Sequence, residues 1–157
     1  MTPAAAGIPA VAILLAAAAP GVAAAACWSE TERAAVAVRV LQSELTLGAL
    51  VCGHRGAYAR FVARHETELR RHGDALAAHF RGAYGPAEGK RRLDAFATRL
   101  ANEASGRKTA WTSDYCAYLK ALTDRAAALP PDRLAAFAAA QPNARRTAAE
   151  SACAAEK

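Results

Sequence analysis

Apolar residues recur at helical spacing along most of this chain, and no stretch shows the period-two alternation of a strand. The first run, residues 29–51, opens with Ser29 and Glu32 in capping-box spacing. Its apolar positions, Val36, Val38, Val40, Leu41, Leu45, Leu47, Leu50 and Val51, lie on more than one side, as in a helix packed by several neighbours. It is expected to be the central helix, ended by Gly53 and Gly56. A second run places Tyr58, Phe61, Val62, His65, Leu69, Leu76 and Phe80 on one face before Gly82 and Gly85, with Gly73 as a point of weakness or bending. Pro86 suits the first turn of a third helix, which carries Leu93, Phe96, Ala97, Leu100 and Ala104 inward and Lys90, Arg91 and Arg92 outward until Gly106. Ser113 is placed to cap a fourth helix with Tyr115, Leu119, Leu122, Ala126 and Leu129 as its stripe, stopped by Pro130-Pro131. A short Ala-rich helix over 132–140 precedes a polar tail, expected to be loosely ordered from about residue 142 apart from Cys153. The predicted fold class is all-α: an antiparallel bundle of four main helices plus a short C-terminal helix, with no internal repeat.

Residues 1–26 break this pattern. They contain no Lys, Arg, Asp, Glu or His, and Ala24-Ala25-Ala26 stand immediately before Cys27. An apolar core over 8–19 followed by small residues reads as a secretory signal with an A-x-A cleavage site, although the n-region lacks its usual basic residue. A retained anchor would be a poor spanning helix, since Ala is nearly neutral in a bilayer and Pro9 and Pro20 interrupt the segment. A lipobox would need a residue such as Leu where Ala24 stands. The run over 34–51 is broken by Arg39, Gln42 and Glu44, so no transmembrane segment is expected after signal removal. The expected location is periplasmic or extracellular, with residues 27–157 as a single helical domain of about 130 residues.

The formal charge of +6 falls wholly on that domain. A basic exported protein meets anionic lipid or acidic polymers at a cell surface, so an anionic envelope component or another exported protein is a candidate partner class, with no partner assigned; nucleic acid is not expected. Arg and Ala enrichment also follows from GC-rich coding, so the charge alone does not define a binding surface.

Four cysteines in an oxidising compartment imply two disulfides. Cys27 and Cys52 flank one helix and would stand about 37 Å apart, whereas a disulfide needs Cα atoms within about 7 Å. Short connections alternate helix direction, which brings Cys52, at the end of the first helix, to Cys116, at the start of the fourth. Cys27 is then left to pair with Cys153, tying the two termini.

Leu41-Gln42, Leu45, Ala49-Leu50, Cys52, Phe61, Phe80-Arg81, Tyr84-Gly85, Asp94, Phe96, Thr98, residues 100–105 and Cys116 together resemble a group of small exported helical proteins predicted from alphaproteobacterial genomes. The resemblance spans most of the helices. It implies export and an α-helical fold, and it implies no activity, substrate or cofactor.

Motif chemistry is sparse. His65-Glu66 begins like H-E-x-x-H, but Leu69 stands where the second histidine is needed. Residues 84–91 fail as a phosphate loop, with Tyr84 in place of Gly and Arg91 in place of Ser or Thr. No C-x-x-C, C-x-x-C-H, G-x-S-x-G or paired E-x-x-H occurs, so no catalytic residue and no cofactor is assigned. His65, His72 and His79 recur every seven residues and form one stripe. They stand about 10 Å apart, too far for two to share a metal, so each would need a partner such as Glu44, Asp94 or Glu103 from another helix. The alternative reading is three half-buried, hydrogen-bonded interfacial histidines. Trp28 and Trp111 read as packing residues near the cystines. Asn102 and Glu103, beside Ser105, either cap the following connection or form a polar site. The expected function is non-catalytic, a binding or accessory role in the cell envelope; the alternatives are a periplasmic metal or haem carrier using the histidine stripe, and an enzyme of unrecognised type.

Overall fold

A computed structural model describes residues 28–110 and 114–151, and among these the chain is all helix and turn, with no strand. Six α-helices follow in order: α1 (Glu30–Val51), α2 (Arg55–Tyr84), α3 (Pro86–Ala110), α4 (Tyr115–Ala128), α5 (Leu134–Ala139) and α6 (Pro142–Ser151), with a 3-10 turn at Pro131–Arg133 ahead of α5.

The capping box at Ser29 forms as expected. Glu32 N–H donates to Ser29 Oγ at 3.3 Å and Ser29 N–H donates to Glu32 Oε2 at 2.7 Å, so two N–H groups at the exposed helix end are paired. From there α1 runs through the middle of the molecule and packs against each of the other five helices, burying Ala35, Val36, Ala37, Val38, Val40, Leu41 and Leu45. By length and apolar content alone α1 is the one helix among the described residues that could cross a membrane, a test that a buried core helix also passes; here most of its apolar surface is covered by protein, with Leu50 and Val51 exposed at its end.

α2 begins at Arg55, so Gly56 lies in its first turn rather than at the end of α1; at its other end it passes through Gly82 and stops, as expected, at Gly85, with φ +77°, a conformation that favours glycine, and Pro86 then begins α3. The bend falls at His65 (φ −109°, ψ 15°) rather than Gly73. His65 and its neighbour Arg64 are both held by the end of α4: His65 Nε2–H donates to Ala126 O at 2.9 Å, and Arg64 Nε–H donates to Leu129 O at 2.6 Å. These side chains pair carbonyls at the end of α4, and the local departure from helical geometry accompanies that tether.

α2 and α3 form a tight hairpin in which Gly89 is buried directly against the α2 backbone at Phe80 and Arg81. An aromatic cluster closes this end: Trp28 stacks on His79 at 4.0 Å between ring centroids and meets Phe80 and Phe96. At the other end of α1, Thr46 Oγ1 donates to Tyr58 Oη at 3.0 Å, and Cys52 is disulfide-bonded to Cys116 in the first turn of α4, with Cα atoms 5.5 Å apart.

The C-terminal segment departs from expectation. The polar tail expected from about residue 142 is helical through Ser151 and packs on α1 and α5. Pro142 occupies a first-turn position, and Ala144 and Thr147, three residues apart, are both buried. α3 likewise continues past Gly106, because Ala104 and Leu100 are buried and hold that turn in place. Cys27, Cys153, Trp111 and the expected cap Ser113 lie outside the described residues, as does the segment 1–26.

Candidate functional site

Glu44 is the most unusual polar residue of the described chain. It sits four turns into the central helix, where every neighbour in the helical pattern is apolar, and it is only 2% exposed. Oε1 accepts from two donors brought by distant elements: Arg107 Nη2 of α3, at 2.9 Å, and Asn143 Nδ2 of α6. Oε2 is buried with no hydrogen-bond partner. Burial pushes the carboxyl above its ordinary value, against the opposing pull of Arg107 and Asn143.

Beside this carboxylate lies a cavity of about 450 Å³. It is lined from α4 by Tyr115, Tyr118 and Leu119, from α6 by Pro142, Asn143 and Arg146, and from α3 by Arg107. Both phenols are pushed above their usual value, by burial first and by the Glu44 charge second, so they stay neutral. Three features make this arrangement possible: α1 supplies the buried carboxylate, the extra turn of α3 reaches Arg107, and α6 folds back to deliver Asn143. The Cys52–Cys116 bond joins α1 and α4 on the same side of the fold.

The structure does not bring the histidine stripe together as a metal centre. His65 is spent on α4. His72 Nε2 accepts from Arg71 at 3.2 Å, and its Nδ1 is buried with no partner; burial and the Arg71 charge lower its pKa. His79 pairs through Nδ1 with Glu32 Oε1 at 2.9 Å beneath Trp28. No group of three His, Cys, Asp or Glu side chains suited to a metal occurs among the described residues. His72 lines a second cavity, of about 480 Å³, between α1, α2 and α3, together with Arg39, Gln42 and Asp94.

Asn102 and Glu103 neither cap a connection nor line a cavity described here. α3 continues beyond them, Asn102 is exposed, and Glu103 pairs with Arg99 one turn earlier at 3.0 Å. Trp28 is a packing residue, as expected, within the aromatic cluster at the α2–α3 hairpin; Cys27, which it adjoins in sequence, lies outside the described residues.

Comparison with protein-family models, curated proteins and solved structures finds no match. The residues of the Glu44 site carry no motif spacing, being 63 and 36 positions apart along the chain. The available signal was Glu44 itself, a carboxylate on a helix expected to be packed on several sides; such a group needs partners from other elements.

Proposed function

We propose that this chain is an exported, disulfide-stapled helical protein that acts without catalysis, as a binding or accessory protein of the cell envelope. The observation that carries the reading is the Cys52–Cys116 bond, which joins residues 64 apart and leaves no free cysteine among the described residues. Such bonds persist in oxidising compartments. The uncharged apolar segment 1–26 is compatible with export.

A binding role is supported by the composition of the Glu44 cavity. Its described walls offer guanidinium, carboxamide, phenol and carboxylate groups and no hydroxyl of Ser or Thr, no thiol and no imidazole. Those groups orient a ligand; an acyl or glycosyl transfer would ask for a nucleophile or a paired acid and base. In this reading successive main helices are antiparallel, in keeping with Trp28 meeting His79 at one end of α1 and Thr46 meeting Tyr58 at the other. Cys27 and Cys153 form the second disulfide.

The test is expression of the full chain in a bacterial host, cell fractionation, and thiol trapping before lysis. Export with removal of residues 1–26 and four protected cysteines is the expected result, with a specific partner or ligand recovered from envelope extract. A cytoplasmic protein with free thiols, or a pure sample turning over common esterase, peptidase or glycosidase substrates, overturns it.

A further inference from the structure

The groove between α1, α2 and α3 encloses about 480 Å³, a volume suited to a small molecule. The exposed charges that line it cancel: Glu66 pairs with Arg70 at 2.6 Å, and Asp94 with Lys90 at 2.8 Å. His72, in the same lining, is held below its ordinary value by burial and by the Arg71 charge, and adds no charge at pH 7. That leaves Arg39, half-buried on the central helix, as the one lining charge with no opposite partner among the described residues. Its Nη1 donates to Gln42 Oε1 at 2.9 Å, which spends the acceptor of Gln42 and leaves both side chains offering only N–H donors. The remaining nitrogens of Arg39, and Nε2 of Gln42, have no partner and none of them is buried, so these donors are reached from solvent.

Gly73 opens the same groove. It stands inside α2 with helical backbone angles, so no turn requires it, and an added Cβ would meet nothing within 4 Å, so no close approach requires it either. Glycine weakens a helix interior relative to alanine, and here its missing side chain leaves space in the groove wall. Val62, Leu69, Leu93 and Ala97 are each half-buried, an apolar wall that a ligand can touch. Anion-seeking donors beside such a wall discriminate among ligands. A cation meets an unanswered guanidinium, a dianion meets the rim carboxylates of Glu66 and Asp94, and a small anion gains only a partly exposed ion pair, which contributes little. We propose that this groove binds a medium-chain fatty acid, its carboxylate accepting from the free edge of Arg39 and from Gln42 Nε2–H while its alkyl chain lies along Leu69, Leu93 and Ala97. Guanidinium and carboxylate are both planar and meet through parallel hydrogen bonds.

This assignment rests on the binding role proposed above and names a ligand class for a second cavity. The experiment is isothermal titration of the oxidised full chain at pH 7 with hexanoate, octanoate, 1-octanol and octyltrimethylammonium, each below its aggregation concentration. Octanoate is expected to bind about tenfold more tightly than hexanoate, for two methylenes, and at least about tenfold more tightly than octyltrimethylammonium. Arg39→Gln should lower octanoate to the affinity of 1-octanol, which the variant binds as the parent does. Gly73→Leu fills the groove from a position with free space around it and should abolish binding of both, with far-UV circular dichroism confirming that each variant is folded. The proposal is overturned if octanoate does not saturate the protein below about 10 mM, if it binds no more tightly than octyltrimethylammonium, or if folded Gly73→Leu binds it as the parent does. Any of these results removes the ligand class and leaves the envelope role to be judged by export and thiol protection, which do not depend on it.

Discussion

Gly73 and Gly89 are both helical glycines, and replacing each by alanine should move stability in opposite directions. In a helix interior the exchange contributes about 1 kcal/mol through backbone entropy and propensity alone. At Gly73, on the exposed face of α2, an added Cβ meets nothing within 4 Å, so that gain should appear undiminished. At Gly89 the same atom would stand 2.5 Å from Phe80 O, 2.7 Å from Phe80 C and 2.8 Å from Arg81 Cα. All three are backbone atoms of α2, with no rotamer to yield, so α3 must move away by about 1 Å to restore ordinary contact near 3.5 Å. Overpacking of this kind costs about 1–3 kcal/mol, which cancels or exceeds the propensity gain. The two substitutions should thus differ by about 1–3 kcal/mol. For a domain of this length that is a separation of roughly 4–12 °C in Tm, with Gly73→Ala above the parent and Gly89→Ala at or below it. Thermal and urea unfolding followed at 222 nm measure both. If Gly89→Ala raises Tm as much as Gly73→Ala does, the close approach of α3 to the α2 backbone is refuted.

Replacing Cys116 by Ser opens a loop of 64 residues and should remove about 4 kcal/mol on the loop-entropy relation, a larger loss than Cys153→Ser produces; parallel urea melts without reductant give the ranking. Arg107→Met leaves Glu44 buried without its cation and should cost roughly 2 kcal/mol at pH 7, below the range for fully buried pairs because Arg107 is partly exposed. Glu44 carries a raised carboxyl value, so the folded state takes up its proton first; the Arg107→Met deficit should shrink as pH falls toward the ordinary value of 4.5, and a deficit that stays constant from pH 7 to pH 4.5 contradicts the pairing. His72 has the opposite sense: its folded value lies below 6.5, so the unfolded chain binds the proton more readily and stability is lost as pH drops below about 6.5. His72→Asn should flatten that loss relative to the parent in melts between pH 7 and pH 5, whereas unchanged slopes argue against a buried neutral imidazole.

The bundle was legible wherever side-chain volume marks the core. Leu and Phe at three- and four-residue spacing locate α1 to α4 because burying such side chains is what orders them, and the alternation of short connections places Cys52 next to Cys116. α6 was illegible for the converse reason. Its inward positions, Ala144 and Thr147, are too small and too polar to register as a stripe, and Arg145 and Arg146 made the segment look solvated. The site inherited that blindness, since Asn143 belongs to α6 and Arg107 lies just beyond the glycine at which α3 was expected to stop. The bend in α2 was assigned to the flexible residue, Gly73, whereas it falls at His65, whose partner on α4 is 61 residues away and leaves no local trace. The histidine spacing was real but shared no purpose: the three rings on one stripe meet a carbonyl of α4, the adjacent Arg71 of α2 itself and a carboxylate of α1.

Mechanically, the Cys52–Cys116 bond turns the molecule into a closed ring with two arms. All of α2 and α3 lies inside the ring, while α1 and the segment from α4 onward are its two arms. Force applied at the ends of the oxidised chain therefore bypasses α2 and α3, and the 64 residues between the cysteines hide about 210–230 Å of extensible length that only a reductant releases. With Cys153→Ser leaving the termini untied, stretching from the ends would unravel α1, α4, α5 and α6, yet the hairpin of α2 and α3 keeps its two ends joined throughout. A cut at the exposed α2–α3 connection would likewise separate nothing until the sulfurs part.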